Sequence, residues 1–373
     1  MSGSAFIHGD GDATNALVVV FLRGGADGLN MVVPIEDDAY YSARPLVGIS
    51  KRNAVPLDDL FALNPRLAPL ADLYRDGDLA IVHCAGSEDQ TRSHFEAQDA
   101  MEHGGAGGGG WLGRYLRHRP NGPGGPLSAV AIGSAAPEAL RGAPAAVVME
   151  SFADFALGER APTAMAALER LYAPEADALG GAARATIAAL GKIAQLNERD
   201  YTPANGAQYP QSQFGDGLCR IAQMVKANVG LESACLDLGG WDAHFASGTL
   251  MDPLMDDLSK GLTAFHTDLN GAMRNTTVVV MTEFGRRVYE NASLGTDHGR
   301  ASVMFAIGGG VRGGKVYCDW PGLALDKLEA PGDLPVQHNY RDVLAPVLAR
   351  HSGITDFSRV FPDYDLSPLD LLA

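Results

Sequence analysis

The chain has 373 residues, of which 46% are hydrophobic and 20% are charged, and its formal net charge is −16. This balance is typical of a globular protein with a sizeable core, and it excludes wholesale disorder. The acidic charge argues against a nucleic-acid partner, because phosphate backbones attract clustered lysine and arginine. The absence of any run of 18 apolar residues argues against an integral membrane span.

Apolar runs of strand length predict a central sheet. In chain order they cover residues 16–22, 79–84, 128–132, 145–149, 232–238, 276–281 and 302–307. Such continuous runs are typical of strands that are buried on both faces. Helical periodicity predicts helices over residues 37–44, 65–75, 95–102, 111–119, 163–172, 183–197, 218–229, 253–269 and 340–350. This alternation predicts an α/β fold with a largely parallel sheet.

The segments between these elements suggest the domain organisation. Residues 15–373 are predicted to form a single α/β domain, with the helix-rich residues 151–230 as an insertion or cap. Residues 51–63 are predicted to be a loop, and residues 311–320 a hairpin-like excursion. Residues 1–14 are small and polar and lack the regions of a signal peptide, so they predict a flexible leader.

The four cysteines, Cys84, Cys219, Cys235 and Cys318, are widely spaced and contain no CxxC pair. Most of them lie in apolar runs, which favours buried free thiols. A disulfide framework or a zinc knuckle is not expected.

Acidic and histidine side chains follow four of the predicted strands. They are Asp27, then Ser93 with His94, then Asp242 with His244, and finally Glu283 followed by Asp297 and His298. The carboxyl ends of parallel strands meet at one edge of a sheet, which is where ligands bind in open α/β folds. Carboxylates and imidazoles together suit a divalent ion such as Zn²⁺, Mn²⁺, Mg²⁺ or Ca²⁺, which would also reduce repulsion between the carboxylates.

Four arginines, Arg23, Arg92, Arg286 and Arg300, lie in the same loops. Guanidinium groups beside a metal site fit a tetrahedral oxyanion such as phosphate or sulfate. The alternative for each arginine is a salt bridge to a neighbouring acid, which we expect for most of them. Arg286 and Arg92 are the two that we expect to bind substrate.

Ser93 has two interpretations that the sequence leaves open. It can cap the following helix, with Glu96 completing a capping box. It can also be a nucleophile, because the N–H groups and dipole at a helix N-terminus favour attack on an anionic ester.

Five segments carry a family resemblance: FLRGGADGLNMVVP, TRSHFEAQDAME, GGWDAHFA, VVVMTEFGRRVYEN and GTDHGRASVMFAIGGGVRGG. From about Leu17 to Pro362, the chain resembles the bacterial family called domain of unknown function 1501. That family is grouped with the alkaline phosphatase and sulfatase-like superfamily. The resemblance implies an alkaline phosphatase-like three-layer α/β sandwich with a helical insertion, and a periplasmic or secreted location.

The resemblance also implies roles for individual residues. Metal ligands would be Asp27, Asp242, His244, Glu283 and His298, holding one ion or two. Phe284 stands where the superfamily has a second histidine. Ser93 would be the nucleophile. Position in the loops, and not the resemblance, assigns Arg92 and Arg286 to the ester oxygens and Arg23, His94 and Arg300 to further substrate contacts. Asp297 would orient the imidazole of His298.

The leading hypothesis is therefore a metal-dependent hydrolase or transferase acting on phosphate or sulfate esters of a small molecule or a glycan. No cysteine lies in the nucleophile loop, so a formylglycine mechanism is not supported. A non-catalytic binding or assembly protein with a degenerate site is the alternative. A metal-free esterase using Ser93 with His94 or His298 ranks last, because no G-x-S-x-G elbow is present.

Overall fold

A computed structural model describes residues 14–120, 122, 124–155, 161–172, 178–197 and 201–373. The predicted leader lies outside these residues, apart from Thr14. No helix within the described ranges is both long enough and apolar enough to cross a bilayer.

The strands of the described chain follow in chain order. They are β1 Ala16–Arg23, β2 Val32–Pro34, β3 Val55–Pro56, β4 Phe61–Leu63, β5 Leu79–Gly86, β6 Ala129–Ile132, β7 Val147–Met149, β8 Ser233–Gly239, β9 Thr276–Met281, β10 Arg286–Glu290, β11 Thr296–His298, β12 Ser302–Gly308, β13 Lys315–Tyr317 and β14 His338–Asn339. The α-helices are α1 Gly28–Met31, α2 Asp38–Ala43, α3 Leu70–Arg75, α4 His94–His103, α5 Trp111–His118, α6 Ala161–Tyr172, α7 Ala178–Asn197, α8 Gln213–Lys226, α9 Ser247–Leu269 and α10 Tyr340–Ser352.

The central sheet has the strand order β13-β5-β12-β9-β1-β8-β6-β7, and β14 also pairs with β5. Every predicted strand belongs to it, and every pairing is parallel except those of β12 with β5 and β9. The prediction of an α/β fold with a largely parallel sheet is confirmed. Because β12 runs the opposite way, it begins at the edge where its neighbours end. The whole segment between β9 and β12 therefore stays at that edge.

The two faces of the sheet are covered by different helices, which gives three layers. Along β1, Val18, Val20 and Leu22 pack into a cluster with side chains of α3, α8 and α9. Leu17, Val19 and Phe21 point to the other face, into a cluster with side chains of α5 and α10. Alternate side chains of a strand point to opposite faces, so a continuous apolar run is what a sheet between two helical layers requires.

Several predicted details differ in the structure. Residues 311–320 do not form a hairpin, since β13 pairs in parallel with β5. The predicted loop at residues 51–63 contains β3 and β4, which form a small antiparallel sheet with β2. A second hairpin, β10 with β11, lies in the segment between β9 and β12. These strands have two to five residues, too few for a period-two pattern to stand out.

Helices α7, α8 and α9 each begin at least one turn earlier than predicted, α7 at Ala178. Helix α8 begins at Gln213 because Ser212 caps it, accepting a hydrogen bond from the backbone N–H of Gly215 at 3.0 Å. Helix α9 begins at Ser247 and contains Pro253. The predicted helix begins at Pro253. A proline has a helical φ and costs only one backbone hydrogen bond, so a helix can continue through it. The reading of residues 151–230, which contain α6, α7 and α8, as an insertion or cap stays a prediction.

His351, in the last turn of α10, makes the stability of the fold pH-dependent. Burial, aided by Arg350, lowers the pKa of His351 from 6.5 to about 4. The unfolded chain therefore binds a proton between these pH values that the folded chain does not, so stability falls as the pH falls from 6.5 towards 4. From pH 7 to pH 4.5 this costs about 2–3 kcal/mol. In His351→Gln, urea denaturation at the two pH values is expected to show a correspondingly smaller loss. An equal loss in both proteins would contradict the prediction.

Candidate functional site

Three imidazoles meet one carboxylate oxygen at the carboxyl edge of the sheet. The Oδ1 atom of Asp242 lies 3.0 Å from Nε2 of His244, 3.1 Å from Nε2 of His298 and 3.3 Å from Nε2 of His94. The Nε2 atoms of His244 and His298 are 2.8 Å apart. Asp242 and His244 follow β8, His94 begins α4 and His298 ends β11. Three separate stretches of chain thus supply the cluster.

The other ring nitrogen of each histidine faces an oxygen. These oxygens are Oε1 of Glu283 for His94 at 2.8 Å, the carbonyl oxygen of Arg92 for His298 at 2.8 Å, and Oδ1 of Asp297 for His244 at 3.3 Å. A carbonyl oxygen or an ionised carboxylate only accepts hydrogen bonds, so each Nδ1 carries the proton. Each Nε2 faces Asp242, and it has a lone pair for a metal ion when its ring is neutral.

This arrangement fits a divalent metal ion. The ligand atoms of His94, Asp242 and His298 all lie within 4.8 Å of one another. The Nε2 atom of His94 is buried and makes no hydrogen bond, although it is close to Asp242. Nitrogen and oxygen donors suit Zn²⁺ or Mn²⁺, and imidazoles held through their second nitrogen are typical of metal sites. His244 contacts two of these three residues and completes the donor set.

The surroundings shift the pKa values of the cluster. Although burial opposes it, hydrogen bonds from Arg286 and His298 hold the pKa of Asp242 well below its ordinary value. The hydrogen bond to Glu283 raises the pKa of His94, and burial lowers that of His298. The carboxylate is therefore ionised, and burial favours the neutral, lone-pair form of His298.

Glu283, a predicted ligand, lies behind His94. Its side chain is buried, and Oε1 accepts hydrogen bonds from His94, from Nε2 of Gln98 at 2.8 Å and from the backbone N–H of Gly24 at 2.9 Å. Oε2 accepts from the hydroxyl of Thr282 at 3.0 Å. With both oxygens engaged, Glu283 orients His94. Sequence reasoning missed Gln98, although it lies four residues after His94, on the same helix face.

Asp27, another predicted ligand, forms a buried ion pair. Its Oδ2 atom lies 2.7 Å from Nη1 of Arg44, and both side chains are inaccessible to solvent. Arg44 also donates to the carbonyl oxygens of Arg287 and Val288, each at 2.8 Å. Oδ1 of Asp27 is buried without a hydrogen bond. Sequence reasoning missed Arg44, because nothing local marks it as the partner of Asp27.

The four predicted anion-binding arginines are all paired with acids. Their partners are Glu102 and Asp237 for Arg23, Asp333 for Arg92, Asp242 for Arg286 and Glu329 for Arg300. Arg286 is fully buried and also donates to the carbonyl oxygens of Gly24, Gly25, Trp241 and Thr296. It therefore holds together the loops that carry the cluster. By contrast, Arg287 is about a third exposed, and its ion pairs with Asp297 and Asp333 are long, at 3.7 and 4.0 Å.

Ser93 is held between two fixed neighbours. Arg92, with a φ of 54°, binds Asp333 through its side chain and His298 through its carbonyl oxygen. On the other side, His94 lies in the cluster. The hydroxyl of Ser93 does not cap α4. Ser93 occupies the predicted N-cap position of α4 but lacks the predicted side-chain hydrogen bond, and its nucleophile interpretation stays a prediction.

Two glycines allow the backbone to close around this edge. A Cβ atom on Gly285 would lie 1.9 Å from the carbonyl oxygen of Ala301, and one on Gly299 would lie 2.4 Å from the backbone of Arg286. Real Cβ atoms do not approach backbone this closely. Both glycines are required by packing between the two arms of the β9–β12 segment.

Similar folds occur among solved structures, at low identity. A candidate sulfatase from Bacteroides thetaiotaomicron is 12% identical, with a TM-score of 0.41, and the match covers 92% of this chain and 72% of that one. The C-terminal periplasmic domain of EcEptC from Escherichia coli, in complex with Zn, is 10% identical, with a TM-score of 0.38. That match covers 96% of this chain and 89% of the other. The sulfatase PsFucS1 from Pseudoalteromonas is 14% identical, with a TM-score of 0.37. That match covers 92% of this chain and 68% of the other.

A search of curated protein sequences gives no match. The family model described as "Protein of unknown function (DUF1501)" matches residues 81–364, which is more than half of the chain and includes the whole cluster. The predicted resemblance is confirmed, and the chain belongs to this family.

Proposed function

We propose that the protein is a metal-dependent hydrolase or transferase of phosphate or sulfate esters. The observation that carries this proposal is the convergence of three Nε2 atoms on Oδ1 of Asp242, each imidazole fixed by an acceptor on its other nitrogen. Several imidazole nitrogens gathered around one carboxylate oxygen form the donor set that binds a divalent ion such as Zn²⁺ or Mn²⁺.

His94, Asp242, His244 and His298 would hold the ion. A set with several imidazoles favours Zn²⁺ or Mn²⁺ over Mg²⁺ and Ca²⁺, which prefer oxygen ligands. A bound ion of this kind supplies a Lewis acid for an ester oxygen. The proposed set differs from the sequence prediction, since it includes His94 and leaves out Asp27 and Glu283. Oδ2 of Asp27 pairs with Arg44, and both oxygens of Glu283 accept hydrogen bonds.

Ser93 and Arg287 would act on the substrate. Because the residues on either side of Ser93 are fixed next to the cluster, its hydroxyl would attack the phosphorus or sulfur atom of a substrate bound there. Arg287 would bind the non-bridging oxygens, because it is the exposed and weakly paired guanidinium near the cluster. Arg92 and Arg286 were predicted for this role, but as placed they are engaged with Asp333 and with backbone carbonyls.

The substrate would be a small molecule or a glycan. Phe95 and Phe245 directly follow two of the proposed ligands and are 85% and 61% exposed. Exposed aromatic rings beside a polar site offer apolar contact to the non-anionic part of a substrate. A periplasmic or secreted location, which the family resemblance suggests, belongs to the same proposal and can be checked by cell fractionation.

Metal analysis combined with turnover tests this proposal. The purified protein is expected to bind about one equivalent of Zn²⁺ or Mn²⁺ and to hydrolyse aryl phosphate or aryl sulfate esters. Ser93→Ala is expected to bind the ion as tightly as the wild type but to lose turnover. Full turnover in Ser93→Ala would exclude the serine mechanism, and failure to bind any ion would exclude a metal-dependent enzyme.

Glu283→Gln is expected to weaken metal binding without removing a ligand. Glutamine cannot act as a charged acceptor for His94, and loss of such an outer-shell partner typically costs about 10–100-fold in metal affinity. Titration of the chelated protein with Zn²⁺ measures the effect. Glu36→Gln is the control, because Glu36 pairs with Lys51 at the surface. Equal affinities in the two variants would contradict the orienting role.

One observation favours the alternative, a binding protein with a degenerate site. Arg44 and Arg286 each place a guanidinium against an acid, Asp27 or Asp242, that a multi-metal site would use as a ligand. This alternative predicts ester binding without turnover. Isothermal titration with an aryl phosphate or sulfate, run beside the turnover assay, separates the two functions.

A further inference from the structure

Two of the four free cysteines, Cys84 and Cys318, lie side by side, away from the imidazole cluster. Their Sγ atoms are 3.4 Å apart, although 234 positions separate them in sequence. Cys84 is buried and Cys318 is partly exposed. The pair therefore has one thiol that solvent can reach and one directly behind it.

A bulge in β5 turns Cys84 towards its partner. Ser302 of β12 pairs with Ala85 and the next residue, Val303, pairs with His83, so Cys84 has no partner on β12. Its φ is 55°, in the left-handed region that non-glycine residues rarely adopt. Bulges re-aim side chains in this way. The bulge thus points Cys84 at Cys318, just after β13.

A metal site at this pair is disfavoured, although His83 lies beside it. Nδ1 of His83 accepts the backbone N–H of Cys84 at 2.8 Å, so Nε2 carries the proton and donates to the carbonyl oxygen of Val32 at 3.0 Å. Neither nitrogen has a lone pair to offer. Two thiols without a third ligand are better suited to bonding with each other.

We propose that Cys84 and Cys318 form a reversible disulfide by exchange with a small-molecule disulfide such as glutathione disulfide. The thiolate of Cys318 attacks one sulfur, forming a mixed disulfide and releasing one glutathione thiol. Cys84 loses its proton and attacks the sulfur of Cys318, releasing the second glutathione thiol. In total, two protein thiols become one disulfide, and one glutathione disulfide becomes two thiols.

The bond would tie down the start of the loop that carries Ser93. The backbone carbonyl of Cys84 accepts from Gln337 at 2.9 Å, and Cys318 contacts the side chain of the same residue. Beyond Cys84, the chain passes through Gly86 and Ser87 to Ser93 and His94. The modification would therefore stiffen the base of this loop, and it does not depend on the proposed hydrolase activity.

The test treats the full-length protein with glutathione disulfide and measures intact mass and alkylated thiols. Native protein is expected to lose two hydrogen atoms in mass and to keep only Cys219 and Cys235 open to alkylation after unfolding. Dithiothreitol should restore all four. Cys318→Ser should show no such loss, and Cys219→Ser should behave like the wild type.

Other results would overturn the proposal. They are four free thiols after treatment, the same mass loss in Cys318→Ser, a stable glutathione adduct in place of the disulfide, and metal bound to the pair as purified. Because the bond closes a long loop, the oxidised protein should melt several degrees higher than the reduced one. An unchanged or lower Tm would show that the native fold does not accommodate the bond.

Discussion

Asp242→Ala is expected to lower metal affinity or ester turnover by about a thousandfold or more. Asp242 supplies the one oxygen that His94, His244 and His298 share, and its carboxylate is the proposed anionic ligand. Without it the three imidazoles face the cation of Arg286, which opposes the binding of another cation. Direct titration with Zn²⁺, followed by turnover at saturating ion, measures the two effects separately.

Asp237→Ala is a close control for this variant. Asp237 has the same 46% side-chain exposure as Asp242, and it also pairs with an arginine, Arg23, at 2.6 Å. It lies in β8, the strand that leads to Asp242, but takes no part in the imidazole cluster. Similar losses in both variants would mean that the effect is a general one on charge or stability, and the proposed site would be wrong.

Arg44→Leu is expected to destabilise the fold by about 3–5 kcal/mol, because it leaves Asp27 as an uncompensated buried charge. Both partners have side chains with at most 1% exposure, so water cannot replace the guanidinium. The carbonyl oxygens of Arg287 and Val288 lose their donor as well. Urea denaturation with a common m-value measures the change in the free energy of unfolding.

Two further variants separate the buried charge from other causes. Arg66→Leu removes an arginine whose side chain is 49% exposed and which pairs with Asp252, and it should cost less than about 1 kcal/mol. Asp27→Asn combined with Arg44→Leu should recover part of the loss, since no charge is then buried alone. A double variant no more stable than Arg44→Leu would contradict this explanation.

The strands were predictable because each is a continuous apolar run, which only a sheet covered on both faces requires. The direction of β12 was not predictable, because an apolar run gives no sign of whether its strand is parallel or antiparallel to its neighbours. The segment after β9 sets the direction of β12, because this segment forms a hairpin and returns to the sheet at the edge where β9 ends. The short strands β2, β3 and β4 lack enough residues for a recognisable pattern.

The candidate site was predictable in position more than in the roles of its residues. Asp242, His244 and His298 were expected at one edge, and the structure brings them together there. The exchange of roles that we propose between Glu283 and His94 depends on side-chain directions across two loops. The partner of Asp297 depends on side-chain directions as well. Asp297 was expected to orient His298, but it lies against His244, and His298 binds the carbonyl oxygen of Arg92. Local sequence carries no information about such contacts.

The close approaches at Gly285 and Gly299 separate two kinds of evolutionary constraint. Both glycines are needed for the chain to close around the site, whatever chemistry the site performs. A family member that has lost the imidazoles but keeps both glycines would have kept the architecture after losing the activity. A member with larger residues at these two positions would need a differently shaped loop, even if all three histidines were present. Sequence variation at these glycines therefore indicates whether a relative keeps the loop structure, and variation at the histidines indicates whether it keeps the activity.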